Sequence, residues 1–286
     1  MAAPADAPVL VGLGSELDLP VVEQAAQEAA GHGRPLHLLH TFDWRAAFAA
    51  DTVAAPRDQA ENLITRAAQL AHQTEPELTV RGEIVESAML PTLIRRSEGT
   101  FLLAVGDSGM AGSGQCVPAE TTAVQLAARA GCPLLVVRRE PPPPGPVLVG
   151  VDGSPSSHLA LRWAMECAAR RGARLLALRV VEYDEDTDAV AEQLDEALAR
   201  HTDRHGAVPT ECRVVRGDPA EVLIDASRSA QVALVAARGD EPGRAMLGAV
   251  AQSLLYHSPA PVVVVRGLAE APLTGPDARP ERDRRQ

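Results

Sequence analysis

Aromatic side chains are scarce: tryptophan, tyrosine and phenylalanine together make up 2% of the 286 residues. Aliphatic and alanine side chains must therefore fill the interior, and 46% hydrophobic content is enough for a core of substantial size. Cysteine is thin as well, and Cys116, Cys132, Cys167 and Cys212 stand far apart with no C-x-x-C pair. That spacing argues against a redox or zinc role, and Cys167 reads as a small core residue on the apolar face of a helix. No apolar run approaches the ~20 residues that a membrane span needs. The start MAAPADAP lacks a basic segment followed by an apolar signal core, so a cytoplasmic protein without a membrane partner is expected. Excess positive charge is also missing. A formal net charge of −11 leaves no basic surface for phosphate backbones, which argues against nucleic acid as a partner. Arg279, Arg282, Arg284 and Arg285 are interrupted by Glu281 and Asp283 and read as a solvated tail.

What is present is organised around the stretch from Val147 to Val181. A short apolar run, Val147 to Val151, breaks at Asp152-Gly153-Ser154. Apolar groups then recur three and four apart at Ala160, Trp163, Ala164, Cys167 and Ala168, the pattern of strand, tight turn and helix. Ser154 suits the helix cap and Pro155 its first position, while Arg170, Arg171 and Gly172 suit its end. A second apolar run, Leu175 to Val181, completes a βαβ unit with both strands buried.

The chain repeats itself. PVLVG occurs at Pro8 to Gly12 and again at Pro146 to Gly150, and AGCPLLVVR matches SPAPVVVVR with Pro133 over Pro261, an offset of 261 − 133 = 128. In the first half, strands are predicted at Pro8 to Gly12, Leu36 to Phe42, Thr79 to Val85, Phe101 to Val105 and Pro133 to Arg138. Helices are predicted from Asp18 and Pro20 to about Gly31, over Pro56 to Ala71, over Met89 to Arg96 and over Thr121 to Ala130. In the second half, strands are predicted at Val147 to Val151, Leu175 to Val181, Glu211 to Arg216, Val232 to Ala236 and Val262 to Arg266. The intervening helices are Pro155 to Arg171, Glu185 to His205, Pro219 to Arg228 and about Ala249 to Tyr256. Each half is thus an alternating α/β series, which predicts a parallel sheet covered on both faces by right-handed crossovers. The proline-rich EPPPPGP cannot enter a sheet interior and reads as a semi-rigid spacer. The expected organisation is a domain at 1–139, a linker at 140–146, a domain at 147–267 and a disordered tail at 268–286. The apolar last strands, Leu134 to Val137 and Val262 to Val265, would invite aggregation as bare sheet edges.

In an open parallel sheet, ligands sit beyond the carboxyl ends of the strands, where the strand order switches. The loops there carry a resemblance. Strand-VDGSPSS-helix at Val151 to Ser157, G-D-P at Gly217 to Pro219, and a fourth strand leading through a glycine loop to a helix and SPAPVVVVR together resemble the universal stress protein family. The resemblance covers nearly the whole chain as two copies, like the family's tandem members. It implies two tandem Rossmann-like, HUP-type domains, each a five-stranded parallel sheet with helices on both faces. It also implies that the two last strands pair across the domains as an internal pseudo-dimer, and the family's dimers leave room for a homodimer beyond that.

Some members of that family bind ATP through G-x2-G-x9-G-[ST] after the fourth strand, where small residues let the backbone approach phosphates at a helix N-terminus. By this resemblance the second copy supplies Asp152, Gly153 and Ser154 in the first turn. Val180 and Val181 flank the base, and Arg238, Gly239, Arg244, Gly248, Ala249 and Val250 lie along the phosphates. Ala236 stands where the first glycine belongs, only eight residues (Asp240 to Leu247) separate Gly239 from Gly248, and Ala249 replaces the hydroxyl residue. The first copy departs further: Gly14 replaces the turn aspartate, and Asp107 and Glu120 are expected to bring carboxylates to the place of the phosphates, so no ATP is expected there.

Other constellations carry less. Gly12-Leu13-Gly14 lacks the third glycine of a dinucleotide fingerprint, Leu17 standing in its place, and no phosphate loop or nucleophile elbow occurs. His201 and His205 share a charged helix face, and His37 and His40 point to opposite faces of a strand. No nucleophile and base stand at a recognisable spacing, so an enzyme is not expected. Two functions follow: a cytoplasmic stress-response protein whose second domain binds ATP and couples occupancy to a protein partner, or a nucleotide-free interaction module that keeps the fold and has lost the ligand.

Overall fold

The computed structural model describes residues 4, 6–42, 54–107, 121–181, 185–205, 208–238 and 247–266. The first half runs β1 (Val9–Leu13), α1 (Leu19–Gly31), β2 (Leu36–Phe42), α2 (Ala54–Thr74), β3 (Val80–Glu86), α3 (Met89–Ser97), β4 (Leu102–Gly106), α4 (Thr122–Arg129) and β5 (Leu134–Val137). The second runs β6 (Val147–Gly150), α5 (Pro155–Arg171), β7 (Leu175–Val181), α6 (Thr187–His205), β8 (Thr210–Arg216), α7 (Pro219–Ser227), β9 (Val232–Ala236), α8 (Ala249–His257) and β10 (Val262–Val265). The alternating series is as the sequence predicts, with boundaries that move by a few residues. The proposed tail lies outside the described residues.

All ten strands form one sheet in the order β3-β2-β1-β4-β5-β10-β9-β6-β7-β8. Every pairing within a half is parallel, and β5 and β10 alone meet antiparallel. Because side chains alternate across a strand, the continuous apolar runs feed two core layers. Val9, Val11, Val147 and Val149 face α1, α2, α5 and α6, whereas Leu10, Leu103, Leu148 and Val235 face α3, α4, α7 and α8. Both layers run unbroken from one half into the other.

Helix ends follow local chemistry. Ser154 Oγ accepts from the Ser157 N–H at 3.1 Å, Pro155 occupies the first turn, and α5 stops at Gly172 with φ +58°. Asp218 caps α7 through the N–H groups of Ala220 and Glu221.

The seam is built reciprocally. Val262, Val263 and Val264 pair with Val136, Leu135 and Leu134, so each apolar edge covers the other, as the sequence expectation has it. Arg138, one residue beyond β5, has a side chain only 2% exposed. Its Nη2 donates to the carbonyls of Leu254 (3.0 Å) and Leu255 (2.9 Å) in α8, and its Nε to that of Ala260 (3.2 Å). Its Nη1 lies 3.6 Å from the buried Asp107 carboxylate. Arg266, its counterpart at the same offset of 266 − 138 = 128, donates from Nη1 to the Ala130 carbonyl at 2.9 Å, at the end of α4. Each domain thus caps a helix of the other with an arginine, where the helix dipole favours a cation.

A second cross-domain contact joins α1 to α5. The Glu28 carboxylate accepts from Arg170 at 2.7 Å and Arg171 at 2.8 Å. Beside it the His32 ring lies 4.5 Å from Phe101 and 5.7 Å from Trp163, centroid to centroid, so scarce aromatics gather at this join. Burial works against the Glu28 charge, yet Arg171 and Arg170 outweigh it and hold the carboxyl below its usual range. Burial, reinforced by the Arg170 charge, pushes His32 down to about 4.

Two outcomes are expected. Both pKa values are depressed, so each group stabilises the fold above its unfolded-state value, and that contribution is lost as the pH falls. His32 loses it from about 6.5 down to about 4, and Glu28 below about 4.5. Thermal unfolding followed by circular dichroism should show a melting temperature that falls across this window, with a shallower fall in His32→Gln. Arg138→Met should cost about 3–5 kcal/mol in urea unfolding, because it takes the guanidinium away from the buried Asp107 carboxylate and removes three hydrogen bonds to carbonyls. The exposed-side counterpart Arg266→Met should cost about 1 kcal/mol, and the double variant Asp107→Ala, Arg138→Met should recover part of the larger loss.

Candidate functional site

The sheet order places a switch point on each side of the seam, between β2 and β4 at β1 and between β7 and β9 at β6. In the second domain, β6 leads into the Asp152-Gly153-Ser154 turn. The Ser154 N–H donates to Asp152 Oδ1 at 2.9 Å, and the Ser157 hydroxyl donates to the Ser154 carbonyl at 2.9 Å. Gly153 takes φ +82°, and a Cβ there would lie 2.6 Å from Arg179 Nη1. Glycine is therefore required both by conformation and by the guanidinium packed on it. Partial burial opposes the Asp152 charge. The hydroxyl and N–H of Ser154, the Ser157 hydroxyl and the Arg179 charge prevail, so its carboxyl sits below the ordinary aspartate value and is ionised at neutral pH.

Next to this turn, Val180 packs into the α7 and α8 layer, and the Val181 carbonyl accepts from Gly217 N–H at 3.4 Å. On the other side, β9 ends at Ala236, and the Gly248 N–H donates back to the Ala237 carbonyl at 2.8 Å. That bond sets the start of α8 at the carboxyl end of β9. Gly248 is the N-cap of α8, and no side chain among the described residues caps it. Ala249 is exposed, and Val250 and Arg238 are half-buried. The structure thus brings Asp152, Gly153, Ser154, Val180, Val181, Arg238, Gly248, Ala249 and Val250 to the carboxyl ends of the adjacent strands β9, β6 and β7. Gly239 and Arg244 lie outside the described residues.

The first-domain crevice, about 300 Å³, is lined by Gly14, Ser15, Asp18, Gly106, Asp107 and Arg138 among others. Asp107 lines this crevice as expected, but not as a free carboxylate. Its carboxylate is drawn into the buried pair with Arg138, because a charge taken out of water there needs a partner. Glu120 lies outside the described residues. A second carboxylate in the crevice, that of Asp18, is turned to the strand-end turn. Asp18 Oδ2 accepts from the N–H groups of Gly14 (2.8 Å) and Ser15 (3.0 Å), and its Oδ1 stands 2.6 Å from where a Cβ on Gly106 would be. The turn's donors are consumed from within the chain.

Sequence reasoning missed Asp18, Arg138 and Arg179 as site-forming groups. For Arg138 a signal existed, since it aligns with Arg266 in the two closing segments. Asp18 reads as a helix opener and reaches the turn only because a short 3-10 segment at Glu16–Asp18 folds it back.

Known proteins bear on this arrangement. The model of the universal stress protein family matches residues 7–138 and again 145–266. The chain belongs to the universal stress protein family. A universal stress protein of Mycobacterium tuberculosis is 30% identical over 292 residues, covering 90% of this chain and 96% of its own. Another from the same organism is 33% identical over 273 residues, covering 86% and 91%. The crystal structure of a universal stress protein from Archaeoglobus fulgidus superposes with a TM-score of 0.71 at 18% identity, covering 90% of this chain and 96% of that one, and supports the fold alone.

Gly153→Ala should lower stability by about 1–3 kcal/mol, since a Cβ at positive φ is strained and displaces Arg179. A thermal shift that leaves the melting temperature unchanged would contradict this account of the turn.

Proposed function

We propose that the protein is a cytoplasmic stress-response protein whose second domain binds ATP weakly and without turnover, relaying occupancy to a protein partner. The observation that carries this reading is the asymmetry between the two crevices. In the second domain the N-terminus of α8 begins at Gly248 without a side-chain cap among the described residues, beside a turn in which Asp152 accepts from the Ser154 N–H alone among the described backbone donors. Such a helix start offers N–H donors and a favourable dipole to phosphates. In the first domain the Asp18 carboxylate takes the equivalent turn donors and lies against Gly106, which opposes a phosphate there.

The binding is weak because parts of the usual cradle are gone. Ala249 offers no hydroxyl, and a lost hydrogen bond to a charged phosphate costs about 1.5–3 kcal/mol. Ala236 puts a methyl where the family pattern has its first glycine. The same Ala249 favours a second reading, a nucleotide-free interaction module.

Isothermal titration separates the two. ATP should bind the wild type with a millimolar-range constant, Ala249→Ser should tighten it about tenfold, and Ala249→Glu should abolish it. Ala249 is exposed, so neither variant should disturb the fold. Silence of both wild type and Ala249→Ser at millimolar ATP, with the proteins folded, selects the nucleotide-free module.

A further inference from the structure

On the opposite face of the Asp152–Ser154 turn, between α5, α6 and the end of β7, lies a cleft of about 180 Å³. It borders the nucleotide crevice at Gly153 and is otherwise lined by other residues. Arg179, which lines it, alternates with Val180 along β7, and Val180 points into the layer of α7 and α8. The inner walls are apolar, from Val151, Val190, Leu194 and Ala197.

The charged groups at this cleft are unevenly matched. The Arg179 side chain is 18% exposed, its ion-pair contact is to Glu185 at 4.0 Å, and its Nε has no hydrogen-bond partner. Arg200, on the exposed side of α6, lines the same cleft with no ion pair or hydrogen bond to any described residue. His158 completes the polar lining, its pKa lowered by burial and by the Arg200 charge, so at neutral pH it offers an uncharged ring. The acids nearby are Glu185, paired with Arg179, Glu196, exposed on the rim, and Asp152, whose carboxylate is bound by Ser154 and also feels the Arg179 charge. Two guanidinium groups therefore face an apolar pocket, and the Arg179 Nε has no acceptor among the described residues. A planar fork of N–H donors is suited to carboxylate and phosphate oxygens.

We propose that this cleft is a second ligand site, taking a compact oxyanion, a carboxylate or a phosphate monoester, on a short apolar body, with Arg179 and Arg200 gripping the anion. The volume equals about six waters at roughly 30 Å³ each, which admits a ligand the size of benzoate and excludes a nucleotide. Because Arg179 Nη1 packs on Gly153, an anion that draws on this guanidinium also touches the turn shared with the nucleotide crevice.

The test is a titration of the ¹⁵N-labelled full-length protein with benzoate, hexanoate, phenyl phosphate and inorganic phosphate, followed by amide chemical shifts. Benzoate or phenyl phosphate should give saturable shifts at Gly153 and Ala197 below about 10 mM, and whichever binds tighter identifies the anion class. Arg200→Ser, at an exposed position, should weaken binding about tenfold without altering the melting temperature, and Arg179→Gln should abolish it. If Arg179→Gln fails to fold, Arg200→Ser carries the decision. The proposal is overturned if no probe saturates, if Arg200→Ser binds as the wild type does, or if inorganic phosphate matches the probes that carry an apolar body. None of these results depends on whether ATP binds in the other crevice.

Discussion

Where β5 meets β10, two parallel sheets that would each end on a bare apolar strand cover one another. The join is antiparallel because the halves face each other about a pseudo-twofold axis, and that symmetry also explains the paired arginines. A residue just past one edge strand lands at the end of the other domain's last helix, so Arg138 and Arg266 each meet carbonyls left open by a helix terminus. Burial of Arg138 is tolerable only because donors are used on three carbonyls and Asp107 lies behind it. The second half has Ala237 directly after β9, where the first has Asp107 after β4, and there the arginine is less buried and makes a single described hydrogen bond. The symmetry of the backbone is therefore kept while its electrostatics have diverged.

That divergence reaches the crevices. The same topology creates both, and among the described residues no side chain caps the helix start in either, yet in one a carboxylate seven positions after Val11 takes the turn's N–H donors. Charge placement decides this together with the 3-10 segment at Glu16–Asp18, which folds Asp18 back onto the turn.

Much of the fold was legible in the sequence. Apolar runs of four to seven residues, glycine at Gly172 and capping residues such as Ser154 and Asp218 act locally, so a local reading finds them. The need to cover the apolar edges β5 and β10 was legible in the residues, and the family resemblance supplied their pairing with each other. The partners that cross the seam were not. Arg170 and Arg171 read as dipole-complementing residues at a helix end, and their bonds to Glu28, 142 and 143 residues away, depend on how α1 and α5 come together. Asp107 was read as a threat to phosphates because its position in the chain was known and the direction of its side chain was not. At the second-domain site the turn was read correctly in its hydrogen bonds, whereas the support that Arg179 gives to Gly153 comes from a neighbouring strand.

Helix α8 is held at both ends by different halves of the molecule. Its first residues stand at the second domain's crevice, and its last carbonyls are gripped by Arg138 of the first. A copy whose turn donors are taken up by its own Asp18 thus still serves as an anchor for the last helix of its twin. Loss of Arg138 would therefore loosen a helix of the other half, whereas Gly14 and Asp18 bond within their own turn and act on their own half.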